Sequence, residues 1–289
     1  MKANNNIDVD LLDNLSEFND PFFKQFTVNK RDTPLELTPS LSKDYLFPTF
    51  YGDTSCAIAV FLCDYEQAKK LLPHSSLKPV SMLKGRALIT FSCYQYRNVL
   101  GVAPYNEIAM TIPVMTDDGI DMPLLPMVAE KLFKNFGYHV FHMPVTSLEN
   151  QIRGRKIWGL PKVVDDINID VVNDVSHIAA TDEWGNEYFS LKVPTNGKPV
   201  AFDVRSNLYS VLDGKLKQSA TQFKGEFNLI KHMDRLFKSG GDDPGVLKIG
   251  EGPYGDMLKK LKIEPQPFQF RHANSMNACF ELPNKNFNG

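Results

Sequence analysis

Residues 56–63 read Cys-Ala-Ile-Ala-Val-Phe-Leu-Cys, a continuous apolar run of strand length. A short apolar run of this kind predicts a strand. Residues 87–96 and 105–115 have a similar character, and Pro113 is expected to interrupt the second of them. Strand-like runs in such close succession indicate a sheet as the centre of the fold.

The pattern continues on both sides of these runs. Asp64 can cap a helix over residues 65–72 that Pro73 ends, and residues 127–136 have a helical pattern that Gly137 would end. Further strands are predicted at residues 138–145, 163–172, 177–181 and 187–193, with a turn at 183–186. Repeated short strands with few helices predict an α+β fold that is mainly antiparallel and closes into a sandwich or barrel, not a doubly wound parallel sheet.

The chain is predicted to contain one main domain. Residues 1–45 are rich in Asn, Asp, Lys and Ser, and we interpret them as a polar N-terminal extension that lies over this domain or stays mobile. No repeat or break in composition divides residues 46–283. Residues 284–289 are predicted to form a flexible tail.

Composition excludes several classes of function. The formal net charge of −2 argues against a nucleic-acid partner. No segment approaches the roughly 20 apolar residues that span a bilayer, so no membrane contact is expected, and the polar start does not resemble a signal peptide. The four cysteines lack metal-type spacing, and three of them have apolar or aromatic surroundings that indicate free, buried thiols. A reduced, cytoplasmic protein is therefore predicted.

Three motifs suggest chemistry but have simpler interpretations. Residues 250–255 match a dinucleotide-binding pattern, yet no parallel βαβ unit surrounds them, which favours a glycine-rich turn. His139 and His142 lie in a strand-like setting that would direct their rings to opposite faces, so a metal site is not predicted. Asp165 and Asp166 would also point in opposite directions, and a solvated turn is favoured over an acid–base pair.

Residues 154–162 read Gly-Arg-Lys-Ile-Trp-Gly-Leu-Pro-Lys, and their last residue, Lys162, follows a glycine pair, a tryptophan and a proline. Lys162 is followed by Val163 and Val164, which is a poor setting for a solvated surface lysine. Burial of its stem would favour the neutral, nucleophilic amine, whereas a snorkelling side chain would keep its ammonium in water. A second segment, residues 104–114, places the single carboxylate of Glu107 in an uncharged stretch. It is either an acid–base group or a residue at a strand edge.

In this order and at this separation, the two segments resemble those of the acetoacetate decarboxylase superfamily. Tyr-Asn-Glu followed by Ile-Pro-Val in residues 105–114 carries one half of the resemblance, and Gly154-Arg155 followed by Pro161-Lys162 carries the other. Residues 64–73 and 252–283 extend it, so that it covers about residues 45–283.

The resemblance implies a cone-shaped, mainly antiparallel β-barrel with flanking helices, assembled into homo-oligomers. It implies that Lys162 forms a Schiff base with a small keto acid and that Glu107 is the active-site carboxylate. Arg155, Leu160 and Val163 are the candidate substrate-binding residues. No metal or organic cofactor is implied, because the protonated imine itself accepts the electrons.

The sequence departs from the decarboxylase pattern at three positions. Val163 replaces a second lysine, so activation of Lys162 through an adjacent cation is not available and desolvation would have to supply it. Thr54 aligns with an arginine associated with the substrate carboxylate, and Lys156 replaces an acidic residue. Decarboxylation of a small β-keto acid is the predicted reaction. An imine-forming aldolase, dehydratase or hydratase with a larger keto acid, or a non-catalytic ligand-binding member, remain alternatives.

Overall fold

A computed structural model describes residues 1–8, 10, 12–116, 134–238 and 241–287. The strands are β1 (Asn29–Lys30), β2 (Leu35–Thr38), β3 (Leu41–Lys43), β4 (Leu46–Phe47), β5 (Thr49–Asp64), β6 (Leu77–Pro79), β7 (Arg86–Val99), β8 (Tyr105–Thr116), β9 (Phe136–Val145), β10 (Lys162–Val164), β11 (Asp166–Val172), β12 (Val175–Thr181), β13 (Glu187–Pro194), β14 (Lys198–Leu212), β15 (Lys215–Lys231), β16 (Leu247–Ile249) and β17 (Gln269–Phe280). The helices are α1 (Pro21–Lys24), α2 (Tyr65–Lys70), α3 (Leu148–Trp158) and α4 (Pro253–Lys260), with 3-10 turns at Leu15–Glu17 and Met233–Leu236.

The long strands close into a barrel. Its order within the described residues is β9, β14, β15, β17, β5, β7 and β8, and β8 pairs back to β9. Neighbouring strands in this ring are antiparallel, except that β14 runs parallel to β9. The short strand β10 adds to the far end of β9, also in parallel. The predicted fold class, a mainly antiparallel barrel with flanking helices, is confirmed.

The run at residues 56–63 is apolar throughout because both faces of β5 are covered. Cys56, Ile58 and Val60 face the interior of the barrel and line a cavity. Ala59 and Phe61 face outward into a core shared with a second sheet of four strands, β11, β12, β13 and β16. Strict alternation of side chains along a strand sends neighbours to opposite faces, and here each face meets apolar partners.

The first residues of the chain pack on the barrel. Phe18, Phe22 and Phe23 form an aromatic cluster with Phe50 of β5. Lys43 contacts Glu149 of α3 through an ion pair of 2.9 Å, and both side chains are buried. The division into residues 1–45, 46–283 and 284–289 stays a prediction. Among the described residues, every helix falls short of the length and apolarity that a membrane-spanning helix requires.

Several local predictions hold. Asp64 caps α2 by accepting a hydrogen bond from the Gln67 N–H at 2.9 Å, and the first strand-like runs lie in β5, β7 and β8. Pro113 does not interrupt β8, and its carbonyl accepts a hydrogen bond from the Val80 N–H. Most of the helix predicted at residues 127–136 lies outside the described residues, which resume at residue 134. Phe136 and Gly137 belong to β9, so the predicted end of that helix at Gly137 is wrong.

Other elements differ from the prediction. The strand expected at residues 163–172 is divided into two strands, β10 and β11. Asp165 lies between them, and they belong to different sheets. No element is predicted from the sequence for α3, α4, β14, β15 or β17. The predicted solvated turn at Asp165-Asp166 is wrong for Asp165, whose side chain is buried and accepts a hydrogen bond from the Tyr188 hydroxyl at 2.7 Å. Asp166 does point away from it, toward Lys2.

Candidate active site

The segment 154–162 forms the last turns of α3, a sharp bend and the start of β10. Helix α3 is preceded by Ser147, whose hydroxyl caps it by accepting a hydrogen bond from the Asn150 N–H. It ends at Gly159, which has φ +66°, the left-handed conformation that favours glycine at a helix C-terminus. The Gly159 and Leu160 N–H groups then bond back to the carbonyls of Arg155 and Gly154, each at 3.1 Å. This bend turns the chain so that Lys162 opens β10 beside Met143 of β9.

Gly154 provides the space for the lysine side chain. A Cβ atom on Gly154 would lie 2.4 Å from Cδ and 2.7 Å from Cε of Lys162. These separations are well below van der Waals contact, so any larger residue would displace the lysine stem. The absence of a side chain at Gly154 therefore makes room for Lys162, eight positions later in the chain.

Lys162 and Glu107 form a buried ion pair inside the barrel. Lys162 Nζ lies 2.6 Å from Glu107 Oε2, and the two side chains are 7% and 4% exposed. The Tyr96 hydroxyl donates to the other carboxylate oxygen at 3.1 Å, and the ammonium lies 5.6 Å from the centre of the Tyr105 ring. Both oxygens of Glu107 are thereby oriented, one toward the amine and one toward a tyrosine.

The pair lies in the wall of a cavity with a volume of about 630 Å³. Leu160 lines this cavity together with Lys162 and Glu107. Much of the remaining wall is apolar, and it includes Ile58, Val60, Val140, Val200, Phe202, Leu208, Phe223 and Phe227. This volume falls in the range of pockets that enclose drug-sized ligands, about 300–1,000 Å³. The interior can therefore hold an organic molecule with a substantial apolar part.

Not every candidate substrate-binding residue lies in the cavity wall. Arg155 and Val163 are not among the described residues that line it. Arg155 is exposed, and its Nε donates to the carbonyl oxygen of Lys162 at 2.7 Å, so it fixes the backbone of the lysine. Lys156 is also exposed and donates to the Glu36 carbonyl. Thr54 is buried, and its hydroxyl has no hydrogen-bond partner among the described residues.

Glu107 is the only carboxylate among the described residues that line the cavity, whereas its walls carry several cations. Lys162 is paired with Glu107, and Arg205 is paired with Glu281. Arg271 and Lys231 remain without a carboxylate partner among the described residues. A cavity with unpaired positive charge favours an anionic ligand, because opposite charge lowers the free energy of binding.

The other sequence motifs have structural explanations. His139 and His142 contact different partners, the Tyr209 carbonyl and the Tyr254 ring, and burial lowers the pKa of each to about 4. Burial raises the pKa of Asp165 to about 6, against the hydrogen bond from Tyr188. Among the described residues, no group of three or more His, Cys, Asp or Glu side chains is arranged to hold a metal ion.

The glycines of residues 250–255 serve close backbone packing. A Cβ on Gly250 would lie 2.0 Å from the Glu187 carbonyl oxygen, and one on Gly255 would lie 2.2 Å from the Gly250 carbonyl oxygen. Strand β16 precedes them but pairs antiparallel with β13, so the parallel βαβ context of a dinucleotide site is missing from the described sheet. The cysteines are free and buried, as predicted.

Sequence reasoning missed Tyr96, Gln269, Lys231 and Arg271 as residues of this site. Tyr96 lies at the end of the predicted strand 87–96, so its presence near Glu107 follows once β7 is paired with β8. The signal for Arg271 is weaker. It is an arginine within Gln-Phe-Arg-His-Ala, a segment with strand-like alternation that no prediction assigned.

Comparison with known proteins agrees with this geometry. The family model described as acetoacetate decarboxylase (ADC) matches residues 32–243. Because this match spans well over half of the 289 residues, the chain belongs to the acetoacetate decarboxylase family. No curated protein is significantly similar to the chain in sequence.

Solved structures of this fold are similar to the barrel. One is an acetoacetate decarboxylase from Legionella pneumophila subsp. pneumophila str. Philadelphia 1, with 12% identity, a TM-score of 0.56 and coverage of 82% of this chain and 86% of that one. An acetoacetate decarboxylase-like enzyme from Sphingomonas wittichii RW1 has 14% identity, a TM-score of 0.51 and coverage of 81% and 91%. The enduracididine biosynthesis enzyme MppR, solved with pyruvate, has 13% identity, a TM-score of 0.52 and coverage of 81% and 88%. At these identities the likeness shows a shared fold.

Proposed function

We propose that this protein is a Schiff-base-forming lyase that uses Lys162 to decarboxylate a β-keto acid. One observation carries the proposal: a lysine amine, 2.6 Å from a single carboxylate, lies in the wall of an otherwise mostly apolar cavity inside the barrel. Activation of a lysine by desolvation or by a neighbouring cation is known from acetoacetate decarboxylase itself. Here Val163 follows the lysine in place of a second cation, and the carboxylate of Glu107 is the base within hydrogen-bond distance of the amine.

In the proposed mechanism, Glu107 transfers the protons of the reaction. It accepts a proton from the Lys162 ammonium, and the neutral amine attacks the ketone carbon of the substrate. Glu107 then returns the proton to the departing hydroxyl, which leaves as water and gives a protonated imine. The imine accepts the electron pair of the breaking carbon–carbon bond as carbon dioxide leaves. Protonation of the resulting enamine at carbon and hydrolysis of the imine release the ketone and regenerate the amine.

A second candidate keeps the imine but changes the reaction. The cavity, about 630 Å³, is large for a substrate of the size of acetoacetate. The MppR structures with pyruvate, and with a condensation product of pyruvate and an aldehyde, illustrate ligands other than acetoacetate on the same fold. An aldolase, dehydratase or hydratase that acts on a larger keto acid through Lys162 is therefore the alternative. Assembly into homo-oligomers and a cytoplasmic location stay predictions.

Borohydride trapping tests this proposal. Incubation with β-keto acids of increasing size and sodium borohydride should reduce the imine and leave a covalent adduct, which peptide mass spectrometry should locate on Lys162. Lys162→Ala should lose the adduct. Lys156→Ala is the matched control, because Lys156 lies in the same segment but is exposed, and it should be labelled like the wild type.

Release of carbon dioxide separates the two reactions. An adduct together with carbon dioxide release above the spontaneous rate supports decarboxylation, and an adduct without release supports the alternative. The absence of an adduct with every keto acid, combined with unchanged ligand affinity in Lys162→Ala, would favour simple ligand binding and reject the proposal.

A further inference from the structure

The register of the barrel strands defines layers of side chains inside the cavity. Glu107 pairs in register with Tyr94, which pairs with Cys56, which pairs with Ala273 on β17. The next layer of inward-facing side chains lies two residues away along each strand. It contains Ala109, Ser92, Ile58, Arg271 and Leu229. Successive inward-facing positions of a strand are separated by about 6.7 Å along its axis. Counted along this register, Arg271 therefore lies one layer from Glu107.

Arg271 is also on a different wall. Strand β17 is three strands from β8 in a ring of seven, which is close to the opposite side of the barrel. Its guanidinium carbon lies 5.1 Å from the centre of the Phe202 ring, and Nη2 donates to Gln269 Oε1 at 3.1 Å. The Phe202 ring and the Gln269 amide hold the guanidinium in place inside the cavity.

The guanidinium retains unused hydrogen-bonding capacity. Arg271 Nε is buried and has no acceptor among the described residues, and no carboxylate of the described residues forms an ion pair with this arginine. Arg271 and Cys56 both line the cavity, so the positive charge of the arginine lies in its wall. A buried N–H without a partner costs free energy, and a ligand that accepts its hydrogen bond removes this cost.

Two neighbours complete a polar region on this wall. Lys231 of β15 pairs in register with Gln269 of β17, one layer beyond Arg271. Lys231 is exposed, whereas Gln269 is buried, so the polar region runs from the rim of the cavity inward to Arg271. Thr54, which aligns with the family arginine, is not among the described residues that line the cavity. Arg271 lies outside the range that the family model matches.

We propose that Arg271, supported by Gln269 and Lys231, is the subsite that binds the substrate carboxylate in this protein. The guanidinium offers planar N–H donors to a carboxylate, a geometry that favours bidentate binding. The substrate is then a β-keto acid whose ketone carbon reaches Lys162 and whose carboxylate, one CH2 group away from that carbon, is directed toward Arg271. Its apolar part, on the other side of the ketone, contacts the aromatic residues of the cavity wall. This inference rests on the proposed function, since it names the group that recognises the keto acid.

Binding of an unreactive analogue tests the subsite independently of imine chemistry. The probes are 3-hydroxy-5-phenylpentanoate and its primary amide, which match in shape but differ in charge. In calorimetric titrations, Arg271→Gln should weaken binding of the acid about 10- to 100-fold, the loss expected for a charge-assisted hydrogen bond. It should change binding of the amide less than about threefold, because a neutral amide gains little from the lost charge. Lys224→Gln, an exposed cation on β15 paired with Asp203, is the control and should leave both affinities unchanged.

A second variant guards against misfolding. Arg271→Lys keeps the charge but loses the planar donors, so it should bind the acid with intermediate affinity. The wild type itself should prefer the acid to the amide by at least about tenfold. Equal binding of the two probes by the wild type, no binding of the acid, or equal losses for both probes in Arg271→Gln would overturn the proposal. A different outcome separates the two proposals. If binding of the probe acid depends on Arg271 but no keto acid leaves an adduct on Lys162, the proposed function is rejected and the anion subsite is retained.

Discussion

The spacing between Gly154 and Lys162 reflects direct contact between them. The lysine stem lies against the glycine, with no room for a Cβ atom, and its amine reaches Glu107 on β8, on the other side of β9. Arg155 bonds the carbonyl of the same lysine. Residues of the Gly-Arg pair thus contact the lysine of the Pro-Lys pair and together fix the position of its amine.

Gly154→Ala should therefore inactivate the site without removing any polar group. Alanine favours helices over glycine by about 1 kcal/mol, so the variant should remain folded, while the new methyl group displaces Cδ and Cε of Lys162. A misplacement of about 1 Å can lower a rate by about 100-fold. We expect a loss of at least this size in the rate of borohydride-trapped imine. Lys156→Ala on the same helix is the control, and a wild-type rate in Gly154→Ala would contradict the steric explanation.

The residues of the site differ in how far the sequence reveals them. Lys162 and Glu107 could be predicted, because each stands out as a charge in an apolar segment and because the two segments resemble a known pair. Arg271 could not be predicted, because its proximity to them depends on β17 lying between β15 and β5. That strand order is set by contacts far apart in the chain, which local patterns do not encode. The burial of Asp165 could not be predicted for the same reason, since its partner Tyr188 belongs to another strand.

At the scale of the elements, the end of α3 determines where Lys162 starts β10. Gly159 adopts φ +66°, and a Cβ atom there would lie 2.1 Å from the Val211 carbonyl oxygen of β14. Trp158 is anchored by a hydrogen bond from its indole to the Glu281 carbonyl at 2.9 Å. The helix, the bend and the barrel wall consequently form a rigid support for β10.

Gly159→Ala should lower the free energy of unfolding by about 3 kcal/mol, the combined effect of an unfavourable φ and of steric overlap. Gly214 is a matched control. It has φ +70° in the turn between β14 and β15, but nothing lies within 4 Å of a Cβ placed there. Gly214→Ala should therefore lose only about 1 kcal/mol. Urea denaturation measures the free energy of unfolding of both variants. Equal decreases in the two would show that the close contact with Val211 does not contribute.

The hairpin of β14 and β15 shows what local signals can reveal. Its two-residue turn is Asp213-Gly214, with φ +52° and +70°, a pair that strongly favours a tight hairpin, so this element could have been predicted. Helix α3 is harder to recognise, since Gly154 lowers its helix propensity and many of its residues are polar. Gly154 leaves room for the Lys162 side chain, so a tertiary contact with the lysine accounts for a residue that weakens the helical pattern of this segment.

The whole molecule should lose stability at mildly acidic pH. His139 and His142 are buried as neutral rings with a pKa of about 4, whereas histidine in an unfolded chain has a pKa of about 6.5. Between these values the unfolded state binds more protons, so stability is fully present above pH 6.5 and falls as the pH falls toward 4. Asp165, with its pKa raised to about 6, has the opposite sign, because the folded state holds its proton more tightly. The two histidines outweigh the one carboxyl.

His142→Phe isolates one of these contributions. The phenyl ring can keep the contact with Tyr254, whose ring centre lies 4.3 Å from that of His142. Between pH 6 and pH 4.5, the free energy of unfolding should fall less steeply in the variant than in the wild type. The two slopes should differ by about 1.4 kcal/mol per pH unit. His177→Gln, at an exposed position, should leave the slope unchanged. A wild-type slope in His142→Phe would contradict both the sign and the size of the histidine contribution.

Among the residues that the structure describes, the barrel brings a buried amine, one carboxylate and a guanidinium without a carboxylate partner into one cavity. The central claim is that the amine forms an imine with the substrate. Oxygen exchange measures this directly. Imine formation expels the ketone oxygen as water, and hydrolysis restores it from solvent. Turnover in water enriched in oxygen-18 should therefore give a ketone product that carries one oxygen-18 atom per molecule, after correction for spontaneous exchange, and Lys162→Ala should give none above that background. A product that retains its original oxygen during wild-type turnover would contradict the account.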